Sequence, residues 1–401
     1  MRRYILILTL ALLPMLAGAQ DQKARYVFYF IGDGMGFNHV SLTEYWLGYT
    51  EGVFDSTPLS FSQFPVLGWA VTHSASNLIT DSAAAGTALS TGTKTKNGML
   101  GTDKDSCRLE SISYKIHDAG FKVGISSTVG INHATPAAFY GHNINRSNYY
   151  DIASEIPASG FEFFAGGGAI ESCGNDGDRP SVYGAIEKSG YVIAEGMDEY
   201  ASRKNGAVKM MLLQEDGRER TELPYAIDME EDDMSQADLV RASIDFLYDK
   251  HDKGFFIMSE GGRIDWASHG NDTKTMILET LSLSDAVAEA IRFYNEHPDE
   301  TLIVVTADHE TGGLTLSWEK GYNLFLNELE KIDCSKDMVS EEEREHMNDI
   351  SHDAHIGWTT ADHSAANVPV FAIGAGSTLF SGRMDNTEIP KKICEAMGVE
   401  F

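Results

Sequence analysis

The chain has 401 residues, 42% hydrophobic and 23% charged, a globular balance that excludes a disordered or collagen-like protein. Its 31 Lys and Arg against 60 Asp and Glu give a formal charge of -29, which opposes nucleic acid and anionic lipid as partners. If the substrate is itself an anion, a local positive charge such as bound metal has to overcome that field.

Arg2 and Arg3, the apolar run Ile5 to Leu16 and the small residues Ala17-Gly18-Ala19 read as a secretory signal peptide over 1–19, cleaved after Ala19. The apolar run is shorter than the ~20 residues a spanning helix needs, and nothing later is apolar enough to span a bilayer. A periplasmic or secreted protein is expected, with residues 20–401 as its working part. Cys107, Cys173, Cys334 and Cys394 lie far apart without a Cys-x-x-Cys pair, so they describe neither a zinc finger nor a redox centre. Export permits disulfides, and their pairing stays open.

Tyr26 to Ile31, Val123 to Ser127, Phe255 to Ser259, Thr301 to Thr306 and Val368 to Ile373 are short β-rich runs, most of them continuously apolar, as in strands covered on both faces. Helical spacing appears over about Gln236 to Lys250 and over Thr273 to Asn295, the latter closed by His297-Pro298. The alternation predicts an α/β fold, a large, mostly parallel central sheet with helices on both faces. The acidic run Glu230-Glu231-Asp232-Asp233 reads as the solvated, dipole-favoured start of a helix rather than a calcium site.

Three strands end in acidic or imidazole groups. Ile31 leads into Gly32-Asp33-Gly34-Met35-Gly36, Ser259 into Glu260 and Asp265, and Thr306 into Asp308 and His309. Ligands of open α/β sheets sit beyond the carboxyl ends of the strands, so these groups are expected to converge. Phe37 stands where a dinucleotide loop needs its third Gly, which leaves Asp33 as an exposed ligand in a tight turn. On a helix, Asp265 and His269 share one face, as two ligands of one metal do, although a surface hydrogen bond has the same spacing. His363 precedes the last core strand, where a buried structural histidine is the ordinary alternative. Together these His and carboxylate groups, without cysteine, suit Zn²⁺ at sites with an open position, and two metals rather than one.

In Thr80-Asp81-Ser82-Ala83-Ala84-Ala85, the alanines favour a helix that places Ser82 at its N-terminus, a natural phosphate site. Simple capping by Asp81 or Ser82 is the competing reading. A G-x-S-x-G elbow, an H-E-x-x-H pair and a P-loop are all missing, so serine esterases, zincins and P-loop ATPases lack their signatures.

Taken in order, Gly32-Asp33-Gly34-Met35-Gly36, Asp81-Ser82-Ala83, His133-Ala134-Thr135-Pro136, Glu260-Gly261-Gly262-Arg263-Ile264-Asp265, Thr306-Ala307-Asp308-His309-Glu310-Thr311-Gly312-Gly313 and His363 closely resemble the motifs of alkaline phosphatases. The resemblance implies that Asp265, His269 and His363 hold one zinc ion, and that Asp33, Asp308, His309 and the Ser82 oxygen surround a second. Asp33 would also bridge to one magnesium ion, whose other protein ligands would be Glu260 and Thr135. Arg146, in His142-Asn143-Ile144-Asn145-Arg146, matches the arginine that grips phosphate, and Asp81 the neighbour that orients it. His133 stands where some members have Asp, and Trp266 where others have Lys or His. The implied activity is hydrolysis of small phosphate monoesters through a phosphoseryl intermediate on Ser82. The implied catalytic domain spans 20–401, with an insertion at about 314–362, and a homodimer is implied as well. Two alternatives stay open: a phosphodiesterase or other hydrolase of the same superfamily, and a secreted metal-binding protein without turnover, which would not need Ser82 or Arg146.

Overall fold

The computed structural model describes residues 23–318 and 321–401, so the signal-peptide reading lies outside the described residues. The main sheet among them has ten strands: β1 (Tyr26–Gly32), β2 (Val66–Val71), β3 (Lys122–Gly130), β4 (Phe163–Gly167), β5 (Tyr191–Glu195), β6 (Lys209–Leu213), β7 (Phe255–Gly261), β8 (Thr301–Thr306), β9 (Val368–Gly374) and β10 (Gly382–Asp385). They lie in the order β10-β2-β9-β8-β1-β7-β3-β4-β6-β5. Only β9 runs against its neighbours, β8 and β2. The mostly parallel α/β architecture expected from the sequence is therefore present.

Six helices matter for the site: α1 (Phe37–Thr50), α2 (Ser82–Thr91), α3 (Gln236–Leu247), α4 (Arg263–His269), α5 (Thr273–Glu296) and α6 (Glu341–Asp353). β1 shows why the core strands read as unbroken apolar runs. Tyr29 turns to Phe139 on one side of the sheet (ring centroids 6.0 Å apart) and Phe28 to Phe293 of α5 on the other (5.6 Å). With both faces covered, no polar alternation survives.

Two local expectations are refined. α3 stops at Leu247, because Tyr248 turns to extended backbone (φ -73°, ψ 120°). Its start is set by Ser235 and Asp238, which cap each other's backbone N–H groups, so the acidic run Glu230 to Asp233 lies in the turn before the cap. The four cysteines are all free thiols.

Registry places the site. Ile31 pairs with both Thr306 and Glu260, and Glu260 also with Ser127, so β8, β1 and β7 end at the level where β3 leaves its pairing with β7. Because β9 is antiparallel, with Val370 opposite Thr306, its entry lies at that same edge. This brings His363 beside Thr311 in a short antiparallel ribbon. The segment between Leu314 and Asp362 packs on the turn joining α4 to α5: the Lys336 ammonium donates to the carbonyls of Gly270 (2.8 Å) and Asn271 (2.9 Å), and Trp358 Nε1 donates to Thr273 Oγ1 (3.0 Å).

Candidate active site

On α4, Asp265 and His269 stand one turn apart and meet His363. Asp265 Oδ2 is 3.3 Å from His269 Nε2, Asp265 Oδ1 is 3.6 Å from His363 Nε2, and the two Nε2 atoms are 3.2 Å apart. The other nitrogens point outward: His363 Nδ1 donates to the Thr80 carbonyl (2.8 Å) and His269 Nδ1 to that of Ala361. Both Nε2 atoms thus turn inward.

Asp33, Asp308 and His309 form a second, fully buried group. His309 Nε2 lies 3.3 Å from Asp33 Oδ1, 3.2 Å from Asp308 Oδ2 and 3.2 Å from Ser82 Oγ. The Thr311 hydroxyl must donate to the Asp265 carboxylate, which only accepts, so its oxygen receives the His309 Nδ1–H at 3.2 Å. That fixes the His309 tautomer, with its Nε2 lone pair facing the acids. Gly34, at φ 77°, admits this convergence: a Cβ there would sit 2.9 Å from Thr311 Oγ1 and 3.0 Å from the Asp265 Cα.

Asp33 also belongs to a third buried group, with Glu260 and His133. Ser127, paired with Glu260 across β3 and β7, donates its hydroxyl to Glu260 Oε2. Asp33 Oδ1 and Oδ2, Asp308 Oδ2, Glu260 Oε1 and Thr135 Oγ1 are buried with no hydrogen-bond partner. So many unsatisfied oxygens in one place suit cations.

The charges agree. Burial, then repulsion from Asp308, holds the Asp33 carboxyl well above its usual range, and burial with Asp265 does the same to Asp308. Burial raises Glu260 to about 7. Although burial opposes it, the hydrogen bond from His269 and the surrounding imidazoles keep Asp265 below the carboxylate range. The same hydrogen bond raises His269 to about 9, while burial pushes His309 far down. Bound divalent cations would let all these carboxylates ionise together.

Ser82 opens α2 but does not cap it. Asp81 is the N-cap, its Oδ1 accepting from the Ala84 N–H at 3.0 Å. Its Oδ2 accepts from Gly98 N–H (3.0 Å) and from Arg146 Nη1 (3.2 Å), and Arg146 Nη2 donates to His133 Nε2 (3.2 Å). All the candidate residues read from sequence therefore come together: Asp33, Asp81, Ser82, Thr135, Arg146, Glu260, Asp265, His269, Asp308, His309 and His363.

The model of the family described as "Alkaline phosphatase" matches residues 24–170 and 200–399. The chain belongs to the alkaline phosphatase family. Alkaline phosphatase 3 of Bacillus subtilis is 30% identical, over 95% of this chain and 92% of its own. The alkaline phosphatase of the Antarctic bacterium TAB5 superposes with a TM-score of 0.77 at 31% identity, covering 94% of this chain and all of its own, 100%. A cold-active alkaline phosphatase from Shewanella sp. reaches 0.82 at 30% identity, over 93% and 99% of the two chains. A variant of the Antarctic enzyme has been solved with magnesium bound in its M3 site. This protein is accordingly a phosphatase that hydrolyses phosphate monoesters with divalent metal ions.

Ser127 stands outside the sequence motifs of this alkaline phosphatase site, and Thr311 stands inside one without a role of its own. Both are ordinary hydroxyl residues, Ser127 within β3 and Thr311 in the short ribbon with His363. The register of Ser127 with Glu260, and the place of Thr311 two residues beyond His309, are the signals that find them.

Proposed function

We propose that the protein hydrolyses phosphate monoesters through a phosphoseryl intermediate on Ser82, with two zinc ions and one magnesium ion. The observation that carries this is the orientation of three imidazoles. His269, His309 and His363 each have Nδ1 engaged in a hydrogen bond, which leaves Nε2 facing the carboxylates. Tetrahedral zinc with nitrogen or oxygen ligands at about 2.0–2.1 Å separates neighbouring donors by roughly 3.3–3.4 Å. The donor spacings of 3.2, 3.3 and 3.6 Å in the first group, and of 3.2 and 3.3 Å around His309 Nε2 in the second, support that fit.

When bound, such ions supply positive charge that favours an alkoxide, a leaving oxygen and a phosphate in an otherwise acidic protein. Ser82 Oγ attacks phosphorus from the start of α2, where backbone N–H groups face the anion; the ester P–O bond breaks, and the alcohol leaves with the proton that Ser82 gives up. Arg146, held by Asp81 and His133, offers its planar fork to phosphate oxygens. Water then displaces Ser82 and releases inorganic phosphate.

The oxygens of Asp33, Glu260 and Thr135 suit magnesium. Because His133 Nε2 accepts from Arg146, its proton lies on Nδ1, a buried atom with no protein acceptor. His133 would then serve as a hydrogen-bond donor next to the oxygens of Asp33 and Glu260 rather than as a magnesium ligand. Burial and the Arg146 charge push His133 down to about 3, so it stays neutral.

The segment at about 314–362 is proposed to border the site as an insertion in the 20–401 catalytic domain. A homodimer, and a periplasmic or secreted location after loss of residues 1–19, complete the reading; among the described residues no helix is long and apolar enough to cross a membrane. Rates on a chromogenic phosphomonoester, the corresponding diester and the sulfate test the function. A preference for the monoester is expected; a preference for the diester or sulfate would assign another superfamily activity, and no turnover would leave a metal-binding protein.

A further inference from the structure

Arg263 is the first residue of α4, and its guanidinium takes no part in the site described above. It is 5% exposed, and its Nε has no hydrogen-bond partner. Among the described residues no carboxylate forms an ion pair with it. In a chain with 60 acidic and 31 basic side chains, an unpaired buried arginine is unexpected. The Tyr225 ring covers one face of the guanidinium at 3.4 Å, and the Trp266 ring lies 5.2 Å away. With its face covered by Tyr225, the group lines a cavity of about 410 Å³ together with that ring. Sites for small molecules commonly enclose ~300–1,000 Å³.

The cavity wall is otherwise acidic, with Glu222, Asp228, Glu230, Asp233 and Asp337 in its lining. Asp228 and Asp337 line the same cavity, and Arg220, the other cation there, already faces Asp233 at 3.8 Å. Asp228 Oδ1 accepts the Ser335 N–H at 2.9 Å, which leaves Oδ2 for a further donor. A plain anion would meet Arg263 but be repelled by the wall, and a plain cation the reverse.

We propose that this cavity binds a small zwitterion, its carboxylate or other oxyanion on Arg263 and its ammonium on Asp337 and Asp228. A flat carboxylate matches the in-plane donors of a guanidinium, and an ammonium matches the carboxylates of the same lining. The site depends on none of the metal assignments.

Trp266 beside Arg263 reports occupancy. The metal-loaded full chain is titrated with γ-aminobutyrate, with acetate and n-butylamine as single-charge controls, while tryptophan fluorescence is followed. A saturable change is expected for γ-aminobutyrate, at least tenfold tighter than for either control, and lost in Trp266→Phe. Arg263→Met should weaken it tenfold or more. Should that variant not fold, Asp337→Asn, at an exposed position, should weaken γ-aminobutyrate and leave acetate unchanged. Acetate binding as well as γ-aminobutyrate, a titration unaltered in Asp337→Asn, or no saturable change with any probe would overturn the proposal.

Discussion

Ser82 Oγ lies 3.2 Å from His309 Nε2, at the first residue of a helix that Asp81, not Ser82, caps. The hydroxyl is thus free of the structural duty that its position suggests, and it faces the same nitrogen as two buried carboxylates. Ser82→Ala should therefore cost less than the ~1 kcal/mol of a lost cap, while turnover falls by orders of magnitude. Thermal denaturation beside steady-state rates checks this. Nearly intact turnover would remove Ser82 from the chemistry.

Asp81→Ala should show the reverse emphasis. It removes the acceptor of Ala84 N–H, at a cost of about 1 kcal/mol, and also releases Arg146. Arg146→Ala should leave the fold intact and weaken inorganic phosphate by about 1.5–3 kcal/mol, the range for a hydrogen bond to a charged group. Competition by phosphate is the measurement, and an unchanged inhibition constant would take Arg146 out of the site.

Much of this was legible beforehand, for a physical reason. β1, β3, β7, β8 and β9 are buried on both faces, so their apolar runs are unbroken. β2 is half exposed and β4 ends in glycines, patterns that resemble loops. The antiparallel direction of β9 leaves no trace in its composition, yet it carries His363 to the site. Asp265 with His269 was readable as a helical spacing. Ser127 and Thr311 were not, because their roles exist only once partners from distant strands arrive.

Chelation should abolish activity and Zn²⁺ restore it, with Mg²⁺ raising the rate further. His363→Ala should lower zinc content, and Glu260→Ala chiefly the response to magnesium. Equal metal content in wild type and both variants would refute the assignments, as would full activity after chelation.

The chelated protein should lose stability as pH rises from about 6.5, the ordinary histidine value, to about 9, the value for His269. A raised folded-state pKa contributes stability below the unfolded value and loses it as pH climbs through the folded one. Asp33 and Asp308, also raised, act in the same direction. His309 and His133, pushed down by burial, stay neutral across this range and do not offset it. Zinc requires neutral His269, so loading should instead strengthen with pH and the two stability curves should diverge. Melting temperatures with and without zinc test this; parallel curves would exclude it.

The most direct test of a covalent Ser82 intermediate is the stereochemistry of phosphoryl transfer from a donor chiral at phosphorus to an acceptor alcohol. Two successive in-line displacements, first by Ser82 and then by the acceptor, require net retention, which is the expected result. Net inversion would mean a single direct displacement and would contradict the role given to Ser82, even with every metal ligand correctly placed.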